Sequence, residues 1–453
     1  MNTPAEAPYP NPKYAWYVVV VLFFAYTSSF VDRIIMSLLV EPIKRDLVLS
    51  DTQFSLLHGF AFAIFYTLMG LPLGRLADRA NRRWLISCGI FLWSLMTAVC
   101  GITRTFTTLF LARIGVGVGE AALSPSAYSM ISDYFPPKKR GVPISMYSMG
   151  VFFGGGIAFI LGGYVVQLTA GATDVVLPLL GAVRPWQLTF FVVALPGLLA
   201  VLLMLTVKEP VRRDVVRLSD DADSQPANPS IRETLAFVIR NKRVYGSVLV
   251  GFALLATASY GFFTWSPSFL IRTYGWEASS AGYSFGLIVL TLGTGGTLLG
   301  GILADRLLAR GRLDAKMYVS MFAGGATLIF GCLAPLMPSA PLALLFLAPT
   351  VVSIGIPVGL GPAALNFITP NQLRCQVIAL YLFAVNLIGL GFGPTIVALI
   401  TDYGFGDPAA VRYSLAVFAV VISALAMISV ASGMKAYRAR ASVMLADSAP
   451  ASL

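Results

Sequence analysis

The sequence predicts an all-α membrane protein whose twelve transmembrane helices form two six-helix bundles. Of its 453 residues, 57% are hydrophobic and only 12% are charged, and the mean hydropathy is +0.79. A soluble chain carries about twice that charged fraction, so the apolar excess needs lipid to cover it. Two further observations predict the same fold class: apolar runs of spanning length, and an internal repeat.

The apolar runs can be counted with the length of a membrane-spanning helix, which is about 20 mostly apolar residues. The first run has no small-residue cleavage site, so we read it as a retained helix rather than a signal peptide. The twelve predicted spans are Ala15–Val40, Gln53–Leu73, Trp84–Ile102, Thr108–Tyr134, Val142–Leu168, Trp186–Val207, Val244–Ile271, Ala281–Leu303, Met317–Leu336, Leu342–Asn366, Val377–Ile400 and Tyr413–Met434.

One long polar stretch divides the chain. It separates a six-helix bundle over residues 1–207 from a second bundle over residues 244–453, and residues 208–243 form the linker between them. Its Ser219–Ser230 run is rich in Asp, Ser and Pro, a composition typical of a flexible connection.

The Lys and Arg residues predict the orientation. With the N-terminus in the cytoplasm, 24 of the 32 basic residues lie on the inside and six lie outside. Cytoplasmic loops carry such an excess, so we expect an inner-membrane protein with both termini in the cytoplasm. The net charge of +11 therefore reflects topology and not nucleic-acid binding.

A repeated hexapeptide relates the two halves. Gly74–Arg79 follows the second span and Gly301–Arg306 follows the eighth, and five of the six letters agree. Parallel six-helix repeats are a recurrent transporter architecture.

These two hexapeptides resemble the loop signature of the major facilitator superfamily. Phe30–Arg33, Leu57–Phe62 and Ala112–Pro136 resemble, within it, the Spinster-like transporters of lysophospholipids and sphingosine phosphates. The resemblance implies the major facilitator fold, transport by alternating access and an amphiphilic substrate. The short loops suit a bacterial member, whose substrate can differ.

Four charged residues lie deep inside the predicted helices: Asp32, Arg33, Arg113 and Glu120. Each such residue costs about 2.5 to 3.5 kcal/mol at a helix centre, so it needs a partner or a water-filled cavity. The major facilitator plan that the resemblance implies places the first and fourth helices beside a central cavity. Helix depths then put Asp32 within reach of Arg113, and Arg33 within reach of Glu120. An ion-pair cluster that only holds the first and fourth helices together is the alternative to a functional site.

Proton coupling is assigned to Glu120 and Asp32. The neighbours of Glu120 on its own helix offer no cation, so we expect Glu120 to carry the proton and Asp32 to be held ionised by an arginine.

Substrate binding is assigned to both halves. Arg33 and Arg113 would hold an anionic headgroup, because arginine grips phosphate through two hydrogen bonds. The tail would lie along uncharged residues of the second half, namely Phe263, Trp265, Tyr381 and Asn386. The alternatives are a small organic anion and a lipophilic drug that is exported.

Six charged residues of the cytoplasmic loops are expected, from the family resemblance, to form gate networks that hold the outward-open state. They are Asp78, Arg79, Asp133, Arg140, Asp305 and Arg306. Arg75, Arg82 and Arg83 fit equally well as residues that only set the topology.

Several classes of function lack support in the sequence. There is no GxxxxGK[ST], HExxH or CxxC motif, so we expect no cofactor, no metal and no enzymatic activity. The expected partners are protons, the substrate and membrane lipids, with no nucleic acid, and the chain is expected to be a monomer. A transport-like receptor or sensor is the rival class.

Overall fold

The computed structural model describes residues 9–136, 139–169, 175–177, 181–212 and 231–448. Within them, twelve helices are long and apolar enough to cross a membrane, which confirms the predicted fold class. In chain order, α1 to α12 are Pro12–Leu38, Asp51–Gly70, Arg82–Cys100, Phe106–Tyr134, Gly141–Leu168, Pro185–Thr206, Lys242–Tyr274, Ala278–Ala309, Ala315–Leu336, Ala340–Ile368, Gln372–Phe405 and Pro408–Met444.

Side-chain caps mark the start of several helices. The Ser50 hydroxyl accepts the backbone N–H of Gln53 at 3.1 Å at the start of α2. The Asn81 side chain accepts that of Trp84 at 3.1 Å at the start of α3. Such caps satisfy N–H groups that have no partner within the helix.

The predicted spans differ from the observed helices mainly at α11 and α12. Helical structure after Met434 continues to Ser448, because that segment is rich in Ala, Arg and Lys, which are strong helix formers. The end of an apolar run is therefore not the end of the helix.

Short elements lie between the spans. A helix covers Val40–Leu47 between α1 and α2. A two-stranded antiparallel hairpin, β1 (Val175–Leu177) and β2 (Gly181–Val183), separates α5 from α6. Local apolar content did not predict the hairpin, because each strand has only three residues.

The two ends of the predicted linker have defined structure. The Tyr134 hydroxyl donates to the Lys208 carbonyl at 2.5 Å, and the Arg212 guanidinium donates to the Ala80 carbonyl at 2.6 Å. A helix covers Ile231–Arg240. The Ser219–Ser230 run lies outside the described residues.

The chain packs as two compact units, one from Met1–Leu47 and Ile64–Gln225, the other from Val48–Ala63 and Pro226–Leu453. In the first unit α1 packs mainly against α5, and α3 packs against α4 and α6. A Cβ added to Gly119 would lie 2.7 Å from the Gly89 carbonyl oxygen, so α3 and α4 approach backbone to backbone, as the small residues of α4 predict.

The second unit is built around α7, which packs against α12, while α12 also packs against α9. The segment Val48–Ala63, which includes the first part of α2, packs in this unit although it lies far before the predicted boundary. A Cβ on Gly59 would lie 2.6 Å from the Leu390 carbonyl oxygen of α11. The predicted division at residues 207 and 244 stays a prediction.

Four stretches of the spanning helices are π-helical: Leu56–Phe60 in α2, Val289–Gly293 in α8, and Val385–Leu390 and Ile400–Phe405 in α11. Such widened turns occur often at functional sites. The sequence analysis did not predict them.

Candidate functional site

The candidate site of the first unit is the charge cluster Asp32, Arg33, Arg113 and Glu120, which joins α1 and α4. All four residues are at most 4% exposed. Asp32 and Arg33 are neighbours near the end of α1, so their side chains point about 100° apart. Arg113 and Glu120 lie two helical turns apart on one face of α4.

Arg33 forms an ion pair with Glu120, through Nη2 and Oε2. The Arg33 guanidinium also lies over the rings of Phe30 and Tyr66, at 4.7 and 5.1 Å from their centroids. This confirms the predicted reach between Arg33 and Glu120. The cation that the neighbours of Glu120 on α4 do not offer is thus supplied by α1.

Asp32 does not form the predicted ion pair with an arginine. The Arg113 Nη1 donates instead to the backbone carbonyl of Asp32 at 3.4 Å. Neither carboxylate oxygen of Asp32 has a hydrogen-bond partner among the described residues. The Trp93 indole and the Thr97 hydroxyl are the nearest donors, yet both also lack partners.

A buried carboxyl group without hydrogen bonds is much less stable ionised than neutral. Of the two acids, Glu120 has an ion-pair partner in the structure, whereas the carboxylate oxygens of Asp32 have no hydrogen-bond partner among the described residues. The assignment of proton coupling to Glu120 and Asp32 stays a prediction.

In the second unit, the predicted binding residues lie on α7 and α11. Phe263 packs edge-on against Phe285 of α8, with centroids 6.3 Å apart. Asn386 is half-buried in the π-helical stretch of α11 and donates to the Leu382 carbonyl at 2.9 Å. Tyr381 is 5% exposed and packs against Phe252.

Trp265 is in a different position from these residues. Its side chain is fully buried, and its indole N–H donates to the Pro394 carbonyl at 2.9 Å. In this conformation Trp265 joins α7 to α11 through packing.

The predicted gate residues are only partly networked. Asp133 pairs with Arg82 at 2.5 Å, and Arg82 also binds Glu209 at 2.7 Å. The Arg140 Nε donates to the Phe135 carbonyl at 2.9 Å. Arg79, Asp305 and Arg306 are exposed, and the side chain of Asp78 lies outside the described residues.

Arg82 is the residue that sequence reasoning missed at this end of the unit. It is 1% exposed, although its position in a loop motif fitted a role in topology as well as a role in the gate. Arg82 is the first residue of α3. The linker residue Glu209 binds its guanidinium there and also accepts the backbone N–H of Arg83 at 3.0 Å. The place of Arg82 at the start of a helix was the signal that the sequence offered.

Another buried ion pair lies at the start of α2, within the second unit. Arg272 donates to both carboxylate oxygens of Asp51, at 2.6 and 2.8 Å. The backbone N–H and the hydroxyl of Thr52 both donate to Asp402 at 2.7 Å. These contacts fasten the start of α2 to α7 and α11.

Comparison with known proteins identifies the family. Residues 19–394 match the family model of the Major Facilitator Superfamily. The chain belongs to this superfamily. It is a secondary transporter with the alternating-access fold, as predicted.

Individual relatives in the superfamily differ in function. The chain is 31% identical to an MFS-type efflux pump of Mycolicibacterium smegmatis over 400 residues, which cover 86% of each protein. It is 27% identical to a probable L-galactonate transporter of Escherichia coli over 66% of this chain and 63% of that protein.

A solved structure of a bacterial homologue of the lysosomal transporter Spinster, inward-facing and unoccupied, superposes with a TM-score of 0.75. It is 27% identical and the alignment covers 98% of this chain and all of that one. The resemblance to Spinster proteins is therefore confirmed.

Proposed function

We propose that this transporter is proton-coupled and moves an anionic amphiphile, of the lysophospholipid or phosphorylated sphingoid class. Arg33 and Arg113 supply buried positive charge in the first unit, for a phosphate headgroup. Phe263, Tyr381 and Asn386 supply uncharged, largely aromatic surface in the second unit, for the tail. The structural similarity to a Spinster homologue supports the same class of substrate.

The Arg33–Glu120 ion pair is the observation that carries this proposal. An anionic headgroup and the Glu120 carboxylate would compete for the same guanidinium. Protonation of Glu120 removes its charge and frees Arg33 for the two parallel hydrogen bonds that a phosphate accepts. Proton uptake and substrate binding would thus be linked at one residue.

Asp32 is the second proton site in this proposal. Its carboxyl group has no hydrogen-bond partner among the described residues, which supports a neutral Asp32 in this conformation. Arg113 lies close to both acids and acts on them electrostatically, so its charge links the two sites.

Glu120→Gln tests the coupling in proteoliposomes with an imposed pH gradient. The variant keeps the shape of the side chain, and we expect it to bind substrate but to lose accumulation driven by the gradient. Glu277→Gln, at an exposed position, is the matched control and should transport as the wild type does. Gradient-driven accumulation by Glu120→Gln would show that coupling lies elsewhere.

The substrate class needs a separate experiment. Native mass spectrometry of the protein in mild detergent, with lysophospholipids, fatty acids and sugar acids offered together, should show selective retention of the phosphorylated amphiphile. Arg113→Ala should abolish that retention. Selective retention of a sugar acid, unchanged in Arg113→Ala, would refute the lipid proposal and favour a small organic anion.

Drug export is the second candidate, because the efflux pump of M. smegmatis is 31% identical over 86% of the chain.

Either function fits a bacterial inner membrane with both termini in the cytoplasm. This orientation is supported by the 24 basic residues on one side against six on the other. Cysteine labelling in intact cells tests it: a reagent that reaches Ser224 but not Asp174 from outside would reverse the topology.

A further inference from the structure

A short amphipathic helix, Ile231–Arg240, precedes α7 and is separated from it by Asn241. We name it the surface helix. One of its faces docks on the second unit: the Thr234 hydroxyl donates to the Gln376 side chain at 2.5 Å, and the Phe237 ring packs edge-on against Tyr245, with centroids 5.2 Å apart. These contacts to α11 and α7 fix which face points outward.

The outward face combines apolar and basic side chains. Leu235 and Ile239, one turn apart, are 40% and 65% exposed. Arg232 lies within about 20° of Ile239 around the helix axis and is also exposed. Three further exposed basic residues follow at the end of the helix and the start of α7: Arg240, Lys242 and Arg243.

The surface helix lies where three spanning helices end. Lys242 is the first residue of α7, and Gln376 lies in the first turns of α11, whose span begins at Gln372. Arg440, whose guanidinium lies 5.7 Å from the Phe237 ring centroid, is near the end of α12. The surface helix therefore lies level with the ends of these spans, where the hydrocarbon layer gives way to the headgroups.

A helix of this composition at that boundary lies in the membrane plane, with its apolar residues in the acyl region and its basic residues among the headgroups. Two apolar residues alone would be unremarkable on a protein surface. The four cations beside them decide the chemistry of the partner. Each Lys or Arg near an anionic membrane surface raises the affinity for that surface roughly fivefold.

We propose that the outward face of the surface helix and the adjoining start of α7 bind anionic phospholipid headgroups, with Arg232, Arg240, Lys242 and Arg243 as the phosphate contacts. The bound lipid holds the surface helix against the membrane and so fixes the chain that enters α7. This site is separate from the transport site, and its occupant is a structural lipid rather than the transported substrate.

Native mass spectrometry of the full chain with equal amounts of phosphatidylglycerol and phosphatidylcholine tests the proposal. We expect the wild type to retain phosphatidylglycerol preferentially. The variant with all four basic residues changed to Gln should lose at least tenfold of that preference. Lys242→Gln/Arg243→Gln, a milder variant, should lose an intermediate part, which keeps the test decisive if the fourfold variant fails to fold.

The matched control removes the same number of charges from exposed positions away from the surface helix: Arg75, Lys139, Arg310 and Lys435, each changed to Gln. It should keep the preference of the wild type. Equal retention of the two lipids by the wild type, equal loss in the control, or an unchanged preference in both helix variants would each overturn the proposal. A helix variant that alters the oligomeric mass but not lipid retention would identify the face as a protein contact instead.

Discussion

Asp51→Asn should strongly destabilise the second unit while leaving the shape of the side chain almost unchanged. The Asp51 side chain is fully buried and that of Arg272 is 7% exposed. The substitution removes the negative charge and leaves the Arg272 guanidinium buried. Its neighbours include the Pro408 carbonyl, at 3.1 Å, and the Trp265 ring, whose centroid lies 5.5 Å away.

The magnitude follows from the two hydrogen bonds that Asp51 accepts from Arg272. Hydrogen bonds to charged groups contribute about 1.5 to 3 kcal/mol each, and breaking a buried pair by removing one partner costs about 3 to 5 kcal/mol. Since Asn can still accept one bond, we expect a loss of about 3 kcal/mol in the free energy of unfolding. Replacing both partners, in Asp51→Leu/Arg272→Met, removes both buried charges and should restore most of that stability.

The assay is unfolding of the purified protein in mixed micelles. Asp51→Leu, Arg272→Met and the double variant are measured as a cycle beside Asp51→Asn. The double variant should be more stable than the sum of the two single losses predicts, by a coupling energy of about 3 kcal/mol. Additive losses, with the double variant the least stable, would refute the reasoning, because they would mean that each side chain contributes through contacts other than the ion pair.

Two further predictions use the same assay. Arg82→Gln should lose about 3 to 5 kcal/mol of stability, since it leaves Asp133 and Glu209 without their buried cation; the exposed Arg75→Gln should change stability by less than about 0.5 kcal/mol. Gly119→Ala should lose about 1 to 3 kcal/mol, because its Cβ would lie 2.7 Å from the Gly89 carbonyl oxygen. Its control, Gly246→Ala, meets nothing within 4 Å and should be close to neutral.

The spans were predictable because a helix that crosses lipid must be mostly apolar over about 20 successive residues. The composition of each run shows this directly. The ends were less predictable. The helix continues after Met434 to Ser448 and buries only a narrow stripe there, with Tyr437 and Ala441 fully buried, so this segment is too polar to be counted as part of a span. The Ile231–Arg240 helix lies in a stretch that reads as linker, because its ten residues are too few and too charged to resemble a span.

The residues of the charge cluster were also predictable, since a charge inside an apolar run is conspicuous. Their pairing was predictable only in part. Position along α1 and α4 brings Arg33 to Glu120, but whether Arg113 meets the side chain or the backbone of Asp32 depends on side-chain rotamers that sequence does not contain. The same holds for Arg82, whose partner Glu209 is 127 residues away in the chain.

The pairing in the charge cluster has a consequence for the substrate. With Asp32 neutral, as proposed above, two arginines face the single ionised carboxylate of Glu120, and the cluster carries one positive charge in excess. An excess charge in a buried site requires a counter-ion, and an anionic headgroup would provide it. Loss of the proton from Asp32 would cancel the excess and weaken the hold on the anion. The proton and the anionic substrate would therefore favour each other's binding, by an equal factor in each direction.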